Sequence, residues 1–186
     1  MIGYALCGSF CTLSRSVQIL ETLRGAGYDV LPIISEITAS TDTRFGKADE
    51  LLSCVESICG HPAVRSIPEA EPLGPSIPLE ALVICPCTGN TLAKLAGGIT
   101  DATVCMAAKA HLRSDRPLLI TLASNDALSA NLRNIGTLLS RKNVYFTPLR
   151  QDDPLSKPHS LVADFDRVPA ALAAALEGRQ LRPLFL

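Results

Sequence analysis

Seven consecutive residues, Cys85-Pro86-Cys87-Thr88-Gly89-Asn90-Thr91, lead from an apolar run into a helical pattern and gather hydroxyl, amide and glycine groups at the join. A glycine there lets backbone N–H groups come close to a planar ring or a phosphate, while Thr88, Asn90 and Thr91 donate or accept hydrogen bonds. An ordinary capped helix start uses the same residue types. Gly8-Ser9-Phe10 forms a similar join after the first apolar run. The free N–H groups and positive end of the helix that follows can hold a phosphate, with the Ser9 hydroxyl as an added donor. Ser9 or Thr12 serves equally well as a helix cap. The join lacks both the three glycines of a dinucleotide fingerprint and the Gly-Lys-Ser/Thr of a P-loop. Ser35 closes the second apolar run, and Thr38, Ser40, Thr41, Asp42, Thr43 and Arg44 follow, a composition that also suits a solvated loop. Ala123-Ser124-Asn125-Asp126 makes the fourth polar join.

Other reactive side chains lack partners at useful spacing. Cys85 with Cys87, or Cys59 with His61, does not extend to a four-ligand zinc pattern, so no metal is expected. His61, His111 and His159 carry no local signature tying them to a thiol, and catalytic roles remain unassigned. Asp101 reads as the N-cap of a helix beginning near Ala102. Arg15, Arg24, Arg133, Arg141 and Lys142 read as solvated helix faces or interface residues.

The elements that present these joins alternate. Strands are expected at 2–6, 28–34, 81–85, 118–122 and 144–146, and helices at 12–24, 47–59, 88–96, 104–112, 128–139 and 169–176. The proline-rich stretch 61–78 reads as a loop with a short strand near Ile67, and 151–159 as a surface crossing. The alternation implies an α/β fold: a doubly wound, Rossmann-like or flavodoxin-like parallel sheet with helices on both faces. In such a sheet ligands lie beyond the carboxyl ends of the strands, where all four polar joins fall.

Composition narrows the function. With 17 Lys and Arg against 18 Asp and Glu, the chain lacks the basic footprint that phosphate-backbone binding needs, so nucleic acid is excluded as a partner. One domain over residues 1–186 is expected. No apolar run reaches the roughly 18 residues of a span, and no basic stretch precedes the first apolar run; neither membrane insertion nor a signal peptide is expected, and the cytoplasm is the expected location. The seven cysteines are odd in number, and Cys7, Cys54, Cys59, Cys85 and Cys105 lie in apolar stretches, which suits reduced thiols used as small core residues. A mean hydropathy of +0.26 with 19% charged residues favours an oligomer.

Residues 86–101, Pro-Cys-Thr-Gly-Asn-Thr-Leu-Ala-Lys-Leu-Ala-Gly-Gly-Ile-Thr-Asp, resemble the Pro-Ala-Ser/Thr-Ala-Asn-Thr motif and trailing segment of the homo-oligomeric flavin-containing cysteine decarboxylase superfamily. Four further segments, 41–46, 69–75, 124–128 and 142–146, are similar to its dipicolinate synthase B-subunit family from spore-forming bacteria, and the similarity covers nearly the whole chain. The resemblance implies FMN, with Gly8, Ser9, Phe10, Ser35, Pro86, Thr88, Gly89, Asn90, Thr91, Ser124 and Asn125 as the cofactor-binding candidates. It implies a trimer or a multiple of trimers; helix 88–96, apolar on more than one face through Leu92, Ala93, Leu95 and Ala96, is expected at the subunit contact. It also implies a partner, the dipicolinate synthase A subunit, supplying NAD(P), and a small dicarboxylate heterocycle as substrate, oxidised to dipicolinate during sporulation. Arg44 is the candidate for binding that dianion. A non-catalytic scaffold subunit and an FMN-dependent decarboxylase are the alternatives. Where the decarboxylases carry a catalytic His ahead of the motif, the spacing falls on Pro72, and of their Pro-x-Met-Asn-x-x-Met-Trp segment residues 122–129 keep only Asn125.

Overall fold

The computed structural model describes all residues, 1–186. Five apolar runs pair as parallel strands, β1 (Ile2–Leu6), β2 (Val30–Ile34), β3 (Leu82–Cys87), β4 (Leu118–Ser124) and β5 (Val144–Phe146), in the spatial order β2-β1-β3-β4-β5. Every residue of β1, β3 and β4 is buried, as a sheet covered on both faces requires.

The period of two along each strand divides the interior into two cores. Ile2, Tyr4 and Leu6 of β1, with Val83 and Cys85 of β3, pack under α1 (Leu13–Gly25), α3 (Ala48–Cys59) and α8 (Val168–Leu176). Ala5, Cys7, Leu82, Ile84 and Cys87 face the other way. They pack under α4 (Ile67–Ala70), α5 (Gly89–Gly97), α6 (Thr103–Leu112) and α7 (Leu132–Leu139). Between β1 and β3 the winding reverses direction, which makes that gap the switch point of the sheet.

Several expectations need correction. The stretch near Ile67 is the short helix α4, because Ser66 and Glu69 form a reciprocal capping box. The helix expected from residue 128 begins at Leu132; the residues before it are held in turns by bonds to Asp126 from Ser129 and Asn131. Asp101 does not cap α6 but pairs with Lys94 at 2.7 Å. β3 runs on through Pro86 to Cys87, with a register shift against β4 between Ile84 and Cys87. A proline lacks the N–H that a regular ladder would use, and an irregularity is where a buried strand tolerates one. Cys54 is exposed, as is Cys11, whereas Cys7, Cys59, Cys85, Cys87 and Cys105 are buried.

Three elements carry no sequence period and were not foreseen: α2 (Glu36–Ser40), β6 (Leu149–Arg150) and β7 (Leu161–Ala163). β7 pairs antiparallel with the last residues of β4, above β5, and β6 pairs with β7. No helix is long and apolar enough to cross a membrane.

Candidate functional site

The two strands that flank the switch point are tied together at their carboxyl ends. Cys7 N–H donates to Pro86 O at 3.2 Å, and Thr91 Oγ1 lies 3.4 Å from Cys7 Sγ. Burial pushes the Cys7 thiol up to about 12, and Cys85 likewise to about 11, so these sulfurs stay protonated and serve packing, not nucleophilic attack.

At the β3–α5 elbow Thr88 is the helix cap, its Oγ1 accepting from Thr91 N–H at 3.2 Å. The N–H groups of Gly89 and Asn90, in the same first turn, find no acceptor within the chain. Asn90 is exposed, and Thr91 is buried. A Cβ built on Gly89 would collide with Ser124 Oγ, so the β3 and β4 elbows touch at a point where no side chain fits. Ser124 is the last residue of β4, and its hydroxyl donates to Asp126 Oδ1 at 2.5 Å. Ser124 first, then Asn131, hold the Asp126 carboxyl below the usual carboxylate range. Asn125 is exposed beside them, its amide without a partner in the chain.

The β1 elbow is tighter than the sequence suggested. Phe10–Thr12 form one 3-10 turn before α1 starts at Leu13. Neither Ser9 nor Thr12 caps a helix with its side chain. Thr12 Oγ1 lies 2.9 Å from Ser9 O and 3.0 Å from Ser9 Oγ, leaving the Ser9 hydroxyl proton free to donate. Ser35 joins the edge through its N–H, which donates to Leu6 O at 3.0 Å, while its hydroxyl caps α2 and meets Thr38 Oγ1 at 2.8 Å. Gly8 lies against α2: a Cβ there would sit 3.1 Å from Ile37 Cγ2. The candidates from β1, β2, β3 and β4 therefore share one edge of the sheet.

Arg44 lies apart from them. It sits at the tip of a turn closed by Thr43 and Gly46, exposed, with its guanidinium 4.8 Å above the Phe45 ring and in no ion pair. Thr43 and Phe45 line a groove of about 440 Å³ between α1 and α3, over a floor that includes Phe10, Leu13, Val17 and Leu51. The groove was missed from the sequence. Its walls come from two helices whose partly exposed apolar residues read as core periodicity.

Two of the three histidines are displaced from this edge, whereas the exposed His159 lies beside the β4 elbow, its carbonyl accepting from Leu128 N–H at 2.9 Å. His61 Nε2 meets Asp29 just before β2, and His111 Nε2 meets Pro117 O just before β4, both at the opposite ends of their strands. Pro72 turns the chain by accepting from Ser76 and Ile77. Besides the Asp126 carboxylate, the edge offers a set of neutral donors: hydroxyls, side-chain amides and free backbone N–H groups. Such donors suit a polar ring and a phosphate.

A parallel α/β sheet with hydroxyl- and amide-bearing elbows across its switch point places the chain in the flavodoxin-like class of folds, in which that crevice is where ligands bind. The chain belongs to the Flavoprotein family, whose model matches residues 2–173. It is 43% identical over 185 residues to the B subunit of dipicolinate synthase from Bacillus subtilis, covering 100% of this chain and 92% of that relative. The crystal structure of the dipicolinate synthase B subunit from Bacillus halodurans, 40% identical, superposes with a TM-score of 0.91 over 100% of this chain and 95% of the other. The FMN-dependent cysteine decarboxylase SpaF shares the fold, with a TM-score of 0.69 at 22% identity over 95% and 94% of the two chains.

Proposed function

We propose that this chain is the flavin-binding B subunit of a two-subunit dipicolinate synthase. The observation that carries the reading is full-length similarity to a dipicolinate synthase B subunit, at 43% identity, on a chain whose polar elbows converge at the switch point. The donor set fits FMN. Ser9 and the tight turn after it take the phosphate, and Gly89, Asn90 and Asn125 offer neutral donors to the ring. FMN, when bound, supplies a two-electron redox centre. Pro86, Thr88, Thr91 and Ser124 shape the seat from behind, and Ser35 fixes the end of β2 beside it. Phe10, between the Ser9 elbow and the groove, forms one wall.

The substrate in this reading is a dihydrodipicolinate-level heterocycle with two carboxylates. The groove beyond Phe10 accommodates a planar ring, and Arg44, unpaired and set between the lining residues Thr43 and Phe45, meets a carboxylate. Oxidation removes two electrons and two protons from that ring. The A subunit would hold NAD(P), which would supply the two-electron oxidant by taking up a hydride equivalent from the ring, and the remaining proton would pass to solvent. The chain assembles as a trimer or a multiple of trimers in the cytoplasm, each flavin seat being completed by a neighbouring protomer. Simple decarboxylation is disfavoured by Pro72, which stands where the decarboxylases carry their His.

The test is purification of the chain alone and with an A subunit. Flavin absorbance in the isolated chain, and dipicolinate formation with NAD or NADP only in the mixture, are the expected results. Dipicolinate formed equally well without this chain would reduce it to a scaffold. Arg44→Ala is expected to raise the substrate KM while leaving flavin content unchanged.

A further inference from the structure

We propose that Asp126 is a positioning residue of the cofactor site: a negative charge locked beside the first turn of α5, it seats a neutral ring there and directs the phosphate to the Ser9 turn that leads into α1. This rests on the reading of the switch point as a flavin site.

Besides meeting Ser124 Oγ, a Cβ on Gly89 would stand 2.7 Å from Asn131 Nδ2 and 2.8 Å from Asp126 Oδ1. The carboxylate is thus packed against the helix start, and only glycine leaves room for it. It is also fixed in place. Asn131 Nδ2 donates to both carboxylate oxygens at 2.9 Å, and Asn134 Nδ2 in turn donates to Asn131 Oδ1 at 2.8 Å. Asn131 is 5% exposed and Ser124 8%. These partners are all neutral, so they hold the charge without cancelling it.

Two helices open onto the switch point, and each start favours negative charge. Neither α1 nor α5 has an acidic residue in its own first turn. At α5 the chain supplies the charge from the β4 elbow, through Asp126. An incoming phosphate therefore meets repulsion at α5, where the free Gly89 and Asn90 N–H groups are left to neutral acceptors. At the 3-10 turn that leads into α1 it meets the Ser9 hydroxyl and no fixed carboxylate among that residue's bonds.

The test uses the full-length chain, riboflavin as a ring without phosphate, and inorganic phosphate as the anion probe. In the unmodified protein riboflavin affinity is expected to be indifferent to phosphate, because the two occupy different ends of the site. Asp126→Asn keeps the shape and removes the charge, so phosphate now competes at α5 and raises the riboflavin Kd by roughly threefold. A purely structural role for Asp126 predicts no such competition. Should Asp126→Asn fail to fold, Ser124→Ala leaves the charge but loosens it: riboflavin affinity falls, still without competition by phosphate. Competition already present in the unmodified protein, or riboflavin binding unaltered in the variant, with and without phosphate, overturns the proposal. A chain that binds neither riboflavin nor FMN overturns the flavin reading itself, and the proposal with it.

Discussion

Glu36, the first residue of α2, accepts hydrogen bonds from both the N–H of Thr103, at 2.8 Å, and its Oγ1, at 2.6 Å. Thr103 begins α6 and is fully buried, so the N-terminus of that helix is capped by a side chain distant in sequence. The contact joins the element after β2 to the helix that packs across the sheet, and it steadies the α2 segment on which Ile37 lies against Gly8.

Removing that acceptor leaves a buried N–H and hydroxyl unpaired. Glu36→Ala is therefore expected to lower unfolding free energy by about 1–2 kcal/mol, and Glu36→Gln by less because its amide oxygen still accepts. Urea denaturation of the three proteins measures the difference. Equal midpoints for all three would show that the contact contributes nothing.

The phosphate assignment is tested at Ser9. A carboxylate introduced by Ser9→Asp meets the cofactor phosphate at close range, and FMN affinity is expected to fall by roughly tenfold or more at low salt, with partial recovery as salt screens the pair. Riboflavin affinity falls much less. Fluorescence titration with both flavins is the measurement, and an equal loss for the two would move the phosphate elsewhere.

Acid stability turns on His111. The ring is buried in α6; Nε2 meets Pro117 O at 2.9 Å while Nδ1 has no partner. Burial lowers its pKa, the bond to Pro117 opposes that shift, and Arg116 adds to it. A base whose folded pKa lies below its unfolded value of about 6.5 binds more protons when unfolded. Its neutral form's contribution is thus intact above that value and erodes as pH falls through it toward the folded pKa. Urea midpoints at pH 8 and pH 5 should differ more for the unmodified chain than for His111→Gln. A parallel loss in both proteins would assign the acid sensitivity to other groups.

Much of this architecture was legible because burial writes period into sequence. β1, β3 and β4 are mostly apolar and end in polar elbows, so strand character and a shared edge follow from residues 2–6, 81–85 and 118–122, although the structure carries the last two strands on to Cys87 and Ser124. β6 and β7, with two and three residues, are too short to show alternation, and α2 looked like a loop because Ser35, Thr38 and Ser40 are turn formers as well as helix caps. Asp126 was read only as part of a polar elbow. Its bonds to Asn131 lie within five residues, yet its contact with Gly89 depends on strand pairing that no local pattern encodes. Asp101 shows the reverse error: local sequence favoured a cap, while Lys94 offered an ion pair and Glu36 filled the capping role from outside.

Assembly makes the last prediction, and the structure changes which residues test it. Leu92 is fully buried and Leu95 is 7% exposed, both within the chain's own core, so a charge at either position would damage folding before it reported on any subunit contact. Exposed apolar surface is carried instead by Ile37, 55% exposed on α2, and Ile99, 50% exposed just past α5. Ile99 N–H is anchored to Lys94 O at 2.9 Å, which holds its side chain outward on a fixed backbone. An interface burying about 800 Å² per partner would cover such residues and close the open edge on which the elbows lie. Ile99→Glu is therefore expected to shift the chain from a trimer, or a multiple of trimers, to smaller species, and to reduce flavin retention while leaving the monomer's unfolding midpoint nearly unchanged. Sedimentation at micromolar concentration with absorbance in the flavin band follows both quantities together. If the unmodified chain sediments as a monomer with flavin bound, the seat needs no neighbour and the shared-site reading fails.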